Sequence, residues 1–579
     1  MNQIRINSTL IALTLVVCIA MIGVAEKASA LMLEMSPEEL TSGADAIVIG
    51  QVVDRNIRWN LDKSHIFTLV VISTEERLKG SIRSNNLIIA VQGGKIGDTT
   101  EEVTDVPNFS VGEKVVIFIR PITDKQLAED GLTAAGDEKP WFQVHGGFQG
   151  KFSVRDDKVG NSPLIKFKER ILKALTSGIP ATPDRQEMPT SEFSSSIGAI
   201  SGITPSSASA GTNSMITITG DNFGQPTGTP YFYYKSNEYY GCSSCVTSWT
   251  DSDVMVKVPI FTASDSYPAS AGSGPVYLMS SAGVKSDSFP FSVTFSYGGI
   301  KWMGASPIVE FKVNPNGDDA LRQAVQDAAD TWNAVSNKRF SFKYAGPTST
   351  AKTSMNKINE IIWANLPPGV IGQASMLSFG GYIRECDIKF NILYRWSTNA
   401  TTPKDAMDVH TIALHELGHW LSLRDLYGNV SGYPTDTAKV MYGYGGNGTQ
   451  KRNLTTDDSF GIRYIYPAEN PCAASLSLSG SAYDLFVPTV NTTPNTWADL
   501  QYDPASSTNT MFRLINSGEN PSPDAYKACQ PSTLSMSDGN YVLHIPELIY
   551  GGVSYRLDLT HVPTTDGLTW FVLSGIWAN

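Results

Sequence analysis

Helical periodicity is concentrated in one stretch of this chain, and this limits the fold more than any other feature. Between Gly298 and about Pro467, apolar residues recur at helical spacing from Ala320 to Val335 and from roughly Met407 to Leu423. Elsewhere, short β-branched runs alternate with Gly, Asn and Pro. The 579 residues are too many for a single hydrophobic core. The sequence therefore predicts a multidomain protein with one α+β domain flanked by all-β domains.

Changes in composition divide the chain into six segments. Residues 1–30 have the basic start, apolar core and Ala28-Ser29-Ala30 cleavage site of a signal peptide. The predicted segments that follow are a small β barrel or sandwich (31–180), a Pro- and Ser-rich linker (181–201), an Ig-like sandwich (202–297), the α+β domain (298–470) and a C-terminal β-sandwich (471–579). No transmembrane segment is expected after signal cleavage, so the mature chain is predicted to be secreted or held at the cell surface.

Charge and cysteines restrict the partners and the cross-links. The net charge of −12 argues against a nucleic-acid partner, because no segment is basic enough to release the counterions of a polyanion. Cys472 and Cys529 lie in one segment and are the favoured disulfide pair in an exported protein. Cys242 and Cys245 are expected to close a small loop, with half of a metal site as the alternative. Cys386 is then left as a buried thiol.

The second helical pattern contains His415-Glu416-Leu417-Gly418-His419. Residues four apart lie on one face of a helix, so His415 and His419 can present their imidazoles to one metal ion. Glu416 projects beside the same ion. Leu414, Leu417 and Leu421 would bury the helix. The alternative interpretation is a pair of surface histidines on an amphipathic helix.

The residues around this pentapeptide resemble the matrixins, which are zinc peptidases of the metzincin clan. The shared motifs are the strand Ile308 to Phe311, the segment Asp387 to Asn391, the stretch His415 to Asp425, the turn Val440-Met441-Tyr442-Gly443 and the helix Leu454 to Tyr466. The resemblance implies a catalytic Zn²⁺ bound by His415, His419 and Asp425, with Glu416 as the catalytic base. It also implies that Met441 forms a Met-turn beneath the metal.

The same resemblance carries further expectations. Tyr442 and Tyr444 are candidates to assist at the oxyanion or the substrate, and Gly372 to Phe379 corresponds to an edge strand to which a peptide can add. Calcium stays open as a second metal. Asp457 and Asp458 are expected to cap the last helix. For Asp425, a solvated helix terminus is the alternative.

Ser422 departs from the matrixin pattern, which has glycine at this position. The chain must turn sharply where the helix ends, and a left-handed conformation costs a non-glycine residue about 1 kcal/mol.

A second resemblance covers the Ig-like segment. Ile203-Thr204-Pro205, Ile216 to Gly224 and Trp249-Thr250-Asp251 resemble the IPT/TIG domain, which implies a sandwich used for spacing or binding. The aromatic cluster between Tyr231 and Tyr240 is either a face that contacts a surface or polysaccharide, or core packing.

Together these features predict a secreted zinc endopeptidase that acts on a protein or peptide substrate. The alternative is a non-catalytic surface adhesin that retains a protease-like scaffold. Whether residues 31–180 inhibit the enzyme stays open. That segment contains no cysteine, which excludes a thiolate latch and leaves a carboxylate or steric cover.

Overall fold

The computed structural model describes residues 32–578, apart from residues 83, 133–140, 161, 178–197, 225–226, 236–237, 264–266, 305, 315–318, 337–338, 468–472, 480–481, 492–495, 503–510, 520–531, 538–539, 551–552 and 565–567. The predicted signal peptide, most of the predicted linker, and Cys472 and Cys529 lie outside the described residues.

The first described domain is built around a small closed ring of strands. Its elements are β1 (Met32–Leu33), α1 (Pro37–Gly43), β2 (Ala46–Trp59), β3 (Ile66–Lys79), β4 (Asn86–Gln92), β5 (Gly94–Ile96), β6 (Thr99–Val103), β7 (Lys114–Pro121), α2 (Asp124–Glu129), β8 (Trp141–Val144), β9 (Lys151–Arg155), β10 (Lys158–Val159), β11 (Ser162–Pro163) and α3 (Leu164–Ser177). β8 pairs with both β4 and β7, so β7, β2, β3, β4 and β8 form the ring. β-Branched residues such as Val48, Val70 and Ile89 fill it. We call this domain the barrel.

β5 and β6 do not join the barrel ring. They extend the sheet of the α+β domain, where β6 lies beside that domain's own edge strand. This crossing between domains is not among the sequence-based predictions.

The second domain is a sandwich of two sheets. Its strands are β12 (Ile200–Thr204), β13 (Ser207–Ala210), β14 (Met215–Gly220), β15 (Thr229–Lys235), β16 (Glu238–Gly241), β17 (Val246–Trp249), β18 (Asp253–Lys257), β19 (Ile260–Ala263), β20 (Tyr267–Ser270), β21 (Gly274–Met279) and β22 (Phe289–Ser296). The order β12-β14-β18-β17 faces the order β13-β22-β21-β15-β16 across an apolar core that includes Phe232 and Phe291. Cys242 and Cys245 are joined, which confirms the predicted small loop, and Cys386 is a buried free thiol as predicted.

The α+β domain contains β23 (Lys301–Trp302), β24 (Ile308–Val313), α4 (Asp319–Val335), β25 (Ser341–Pro347), β26 (Asn359–Ala364), β27 (Gly372–Phe379), β28 (Tyr382–Asn391), β29 (Trp396–Ser397), β30 (Met407–Asp408), α5 (Val409–Trp420), β31 (Tyr444–Gly445) and α6 (Thr456–Ile465). Its main sheet has the order β25-β24-β26-β28-β27, and β27 is antiparallel to β28. The Trp332 indole N–H donates to the Leu414 carbonyl at 2.7 Å, which fixes α4 against α5.

The last domain is a strand-only unit whose sheet folds back on itself. Its strands are β32 (Ala474–Ser479), β33 (Ala482–Asn491), β34 (Thr496–Tyr502), β35 (Met511–Glu519), β36 (Ser532–Ser537), β37 (Asn540–Tyr550), β38 (Val553–Val562) and β39 (Trp570–Ala578). Additional pairings of β32 with β37 and of β33 with β36 bring the two ends of the sheet together. Among the described residues, no helix has the length and apolar character needed to cross a membrane.

Candidate metal centre

Helix α5 is buried almost completely, and its first turn is fixed by an aspartate. Asp408 is the N-cap, and its side chain accepts a hydrogen bond from the Thr411 N–H at 3.0 Å. Burial raises the pKa of Asp408, but hydrogen bonds from Arg452 and Thr411 outweigh it and leave the pKa below its ordinary value. Helix α5 begins two residues later and ends three residues earlier than the sequence pattern suggests, because Met407 and Asp408 form strand β30 and the chain turns after Trp420.

Ser422 makes the turn that ends the helix. Its φ of 63° is left-handed. The Ser422 N–H donates to the His419 carbonyl at 2.7 Å, and the Leu423 N–H donates to the Gly418 carbonyl at 3.1 Å. These two bonds form a Schellman motif in which serine stands at the usual glycine position. The departure noted in the sequence therefore does not prevent the turn, and the turn carries the chain back toward the histidines.

Three ligand atoms converge at this place. His415 Nε2 lies 3.0 Å from His419 Nε2 and 3.0 Å from Asp425 Oδ1, while His419 Nε2 lies 3.6 Å from Asp425 Oδ2. Ligands of a tetrahedral zinc lie about 3.3 Å apart. Within the described residues, these three form the group of His, Cys, Asp or Glu side chains that could hold a metal ion. The alternative of two separate surface histidines is wrong, since both rings are buried.

The backbone fixes which ring nitrogens can bind a cation. His415 Nδ1 lies 2.6 Å from the Val440 carbonyl, and His419 Nδ1 lies 2.8 Å from the Leu423 carbonyl. Because a carbonyl accepts only, each Nδ1 must carry a proton, and each neutral ring then has a lone pair on Nε2. Burial lowers the pKa of His419 to about 4, which favours that neutral form. Two lone pairs 3.0 Å apart beside a carboxylate fit a cation between them.

Glu416 is fully buried beside this group. Neither of its carboxylate oxygens has a hydrogen-bond partner among the described residues. Burial raises the pKa of Glu416 well above its ordinary value, and the nearby carboxylates of Asp105 and Asp425 raise it further. On its other side, a side chain at Gly372 would overlap the Glu416 carboxylate, so the start of β27 passes directly beside it.

Met441 lies under the helix turn that carries the histidines. Its sulfur abuts Gly418, where a β-carbon would overlap it. The Val440 N–H donates to the Asp458 carboxylate at 3.0 Å and so holds this turn. The expected helix cap needs a correction: Thr455 is the N-cap of α6, and Asp458 occupies the third position of a capping box. A carboxylate there can bond both the cap and the Met441 turn, and no local pattern of residues marks this second bond.

A tyrosine that the sequence did not single out borders the cavity beside the ligands. Tyr442 and Tyr444 are buried in an apolar cluster with Met32 and Val370. Tyr427 borders the same cavity of about 460 Å³ as His419 and Asp425. A role for Tyr442 or Tyr444 at the substrate stays a prediction. Tyr427 follows the third ligand by two positions, but no pattern marks it.

The sandwich domain braces the segment that follows α5. The Arg424 N–H donates to the Ser296 carbonyl at 3.0 Å. Further along, Asp436 is fully buried and accepts from the Ser273 N–H at 3.0 Å and from the Ser273 hydroxyl at 2.6 Å. Lys439 Nζ pairs with Asp436 at 2.8 Å. These contacts position Asp425 and the Met441 turn from the sandwich side.

One aromatic and one basic side chain of the sandwich domain border the cavity itself. Tyr234 packs edge-on against Tyr427, with ring centroids 5.7 Å apart. Lys235 Nζ lies 3.5 Å above the Phe148 ring of the barrel. Burial lowers the pKa of Lys235 to about 8. Part of the aromatic cluster is therefore interdomain packing, and a role of the rest in binding a surface or polysaccharide stays a prediction.

Comparison with known families agrees with this geometry. Residues 308–467 match the matrixin family, and residues 199–297 match the IPT/TIG domain. The α+β domain is thus a matrixin-family domain, and the sandwich is an IPT/TIG domain. Matrixins depend on zinc, and the converging histidines and aspartate suit that metal.

A curated relative points the same way. The chain is similar to Metalloendoproteinase 1 of Glycine max, with 28% identity over 162 residues, or 27% of this chain. The match spans about half, 48%, of the length of that relative.

Proposed function

We propose that this chain is a secreted zinc endopeptidase that hydrolyses peptide bonds of extracellular proteins. One observation carries the proposal: three buried ligand atoms converge beside the buried Glu416 carboxylate, whose oxygens have no hydrogen-bond partner in the described structure. Metal-assisted hydrolysis requires a set of metal ligands and a proton acceptor beside them. A binding scaffold would need neither.

In this proposal the role of each residue follows from its position. When bound, zinc lowers the pKa of water toward about 7 and polarises a carbonyl group. His415, His419 and Asp425 would hold the ion, and the Val440 and Leu423 carbonyls orient the two rings. Glu416 accepts a proton from the attacking water and later donates it to the departing amine. Neither carboxylate oxygen of Glu416 has a hydrogen-bond partner among the described residues, so either oxygen could take that proton.

The proposed substrate is an extended polypeptide. β27 is the last strand that the matrixin domain contributes to its own sheet, and its first residue abuts Glu416. A peptide that adds to β27 would make main-chain hydrogen bonds and pass beside the ligands. This mode of binding supplies affinity without a strict sequence requirement. Export of the mature chain is part of the proposal and rests on the pattern of residues 1–30.

The first test replaces the proposed base. Glu416→Ala should retain stoichiometric zinc and lose casein cleavage by about 10³-fold, because a positioned proton acceptor is removed. The matched control is Glu310→Ala, an exposed glutamate of the same domain, which should cleave casein like the parent. Unchanged cleavage by Glu416→Ala would remove Glu416 from the reaction.

The second test replaces a ligand. His415→Ala should lose stoichiometric zinc, measured by metal analysis after gel filtration. A variant that still holds the full equivalent would show that the ligand set is wrong. The adhesin alternative predicts that the zinc-loaded parent cleaves no casein at all.

A further inference from the structure

The IPT/TIG domain forms part of the wall of the cavity at the metal centre. Strand β15 ends at this cavity with Tyr234 and Lys235, and β16 adds Tyr240. The metal ligands His419 and Asp425 border the same cavity of about 460 Å³. A substrate held at the ligands would therefore meet side chains of a second domain, and such side chains can select among substrates.

Hydrogen bonds fix the end of β15 relative to the segment that follows the third ligand. In that segment, the Gly428 N–H donates to the Asp436 carboxylate at 2.9 Å, and the same carboxylate accepts from the Ser273 N–H at 3.0 Å. Next to Ser273, the Gly272 N–H donates to the Tyr233 carbonyl at 2.9 Å. These bonds connect the ligand segment to β15, so the strand end keeps its place beside the cavity.

Lys235 has a positive charge that the described part of the protein does not pair. Its Nζ lies 3.5 Å from the centroid of the Phe148 ring and 4.9 Å from that of Tyr234. It forms no hydrogen bond or ion pair with a described residue, although Glu238 stands opposite it in the hairpin. The ring faces attract the ammonium without satisfying its N–H donors, which a carboxylate would satisfy.

The charges around the cavity leave Lys235 uncompensated once a divalent metal ion is bound. Glu102 is already paired with Arg424, at 2.7 Å between Oε2 and Nη2. The carboxylates of Asp105 and Asp425 would be balanced by the charge of the ion. Of the other charged side chains at the cavity, one is paired with Glu113 and two have opposite signs: Lys151, Arg155 and Glu238. The ammonium of Lys235 is then the charge that attracts a ligand, and it attracts an acidic one.

We infer that Lys235 of the IPT/TIG domain is a specificity-determining residue that binds an acidic side chain of the substrate close to the scissile bond. This inference rests on the proposed function and names its substrate class, polypeptides with glutamate or aspartate near the cleaved bond. A carboxylate at Lys235 makes a charge-assisted hydrogen bond, and an amide of the same shape makes a weaker one. If Lys235 only joins the sandwich to the barrel through Phe148, glutamate and glutamine peptides should bind alike.

The test uses the zinc-loaded full chain and tripeptide hydroxamates, which bind zinc through the hydroxamate group. One series carries this group at the C-terminus (-NHOH) and the other at the N-terminus (HONH-CO-CH₂-CO-), so the peptide extends from the metal in either direction. Each position in turn is glutamate or glutamine. Calorimetry gives the dissociation constants, and casein cleavage is measured in parallel.

Three variants separate charge from packing. Lys235→Met keeps an apolar stem against Phe148 and removes the charge. Lys235→Arg keeps the charge and serves as the conservative variant. Lys257→Met is the matched control, because Lys257 ends β18 of the same domain and bonds Asn213 at an exposed site.

We expect the parent, Lys235→Arg and Lys257→Met to bind one glutamate hydroxamate about tenfold more tightly than its glutamine partner. Lys235→Met should bind the two equally, with its affinity for the glutamine compound unchanged. No glutamate preference in the parent, or a preference that persists in Lys235→Met, would overturn the role of Lys235, even if casein is cleaved. An equal loss of affinity for both compounds in Lys235→Met would also overturn it.

The same measurements distinguish this inference from the proposed function. A glutamate preference that Lys235→Met abolishes, without casein cleavage by any form, would support the role of Lys235 and reject the endopeptidase. Absence of bound zinc and of hydroxamate binding from every form would overturn both.

Discussion

The IPT/TIG domain and the barrel both contact the matrixin domain near the candidate metal centre, and they contact it differently. The IPT/TIG domain binds the segment after α5, where Ser273 holds Asp436 and the Ser296 carbonyl accepts from Arg424. The barrel instead adds β6 to the sheet edge and places Asp105 at the cavity. The first domain supports the residues that would bind metal. The second pairs with the strand to which the proposed peptide substrate would add.

The difference shows that similar β texture in a sequence does not imply a similar role. What separates the two domains is the part of the matrixin domain that each one touches. If this comparison is correct, breaking the IPT/TIG contact should cost stability and metal binding. Breaking the barrel contact should instead open the site.

Asp436→Ala should have the largest effect on stability. It leaves the buried Lys439 without its nearest carboxylate and removes both bonds to Ser273. Loss of one partner of a buried ion pair costs about 3–5 kcal/mol. Urea unfolding followed by tryptophan fluorescence should show this loss, together with weaker zinc retention. Asp405→Ala is the control, because its pair with Arg395 is exposed and worth less than about 1 kcal/mol. Equal losses in the two variants would remove the bracing role.

Glu102→Gln should lower the free energy of unfolding and at the same time increase the affinity for a peptide ligand. Arg424 would lose a charged partner, at a cost of about 2 kcal/mol in the free energy of unfolding. The same change loosens β6 from β27, so the chain should bind Pro-Leu-Gly-NHOH, a tripeptide hydroxamate that binds zinc and can extend along β27, more tightly. Glu310→Gln, whose pair with Lys343 is exposed, should change neither quantity. A fall in hydroxamate affinity would place Glu102 among the supporting residues instead.

Ser422→Gly should give the smallest change, and in the opposite direction. Ser422 has a φ of 63°, and its hydroxyl is buried without a hydrogen-bond partner in the described structure. Glycine adopts this conformation freely, so the variant should be more stable by about 1 kcal/mol. Ser431→Gly, at an exposed position without a positive φ, should give no gain. Destabilisation by Ser422→Gly would mean that the hydroxyl has a role in the turn.

The sequence predicts those parts of the site that depend on local spacing. His415 and His419 are one helical turn apart. Asp425 follows them after the left-handed turn at Ser422. Such relations involve fewer than a dozen neighbouring residues, so a pattern can record them. The alternation of β texture and helical periodicity likewise predicts a multidomain, strand-rich fold with an IPT/TIG sandwich.

Long-range relations left no comparable trace in the sequence. Asp105 is about three hundred residues before the ligands and reaches them only because β6 crosses from one domain to another. Lys235 and Tyr234 lie in a strand whose aromatic pattern fits core packing equally well. Asp458 reads as a helix cap, and its bond to Val440 depends on how α6 packs. Domain packing determines these contacts, and no local spacing encodes it.

Anomalous diffraction at the zinc edge from crystals of the zinc-loaded full chain would locate the metal. We expect a peak between His415 Nε2, His419 Nε2 and the Asp425 carboxylate, at about 2.0–2.2 Å from each ligand atom. A peak elsewhere, or an Asp425 side chain turned away with no replacement ligand, would contradict it.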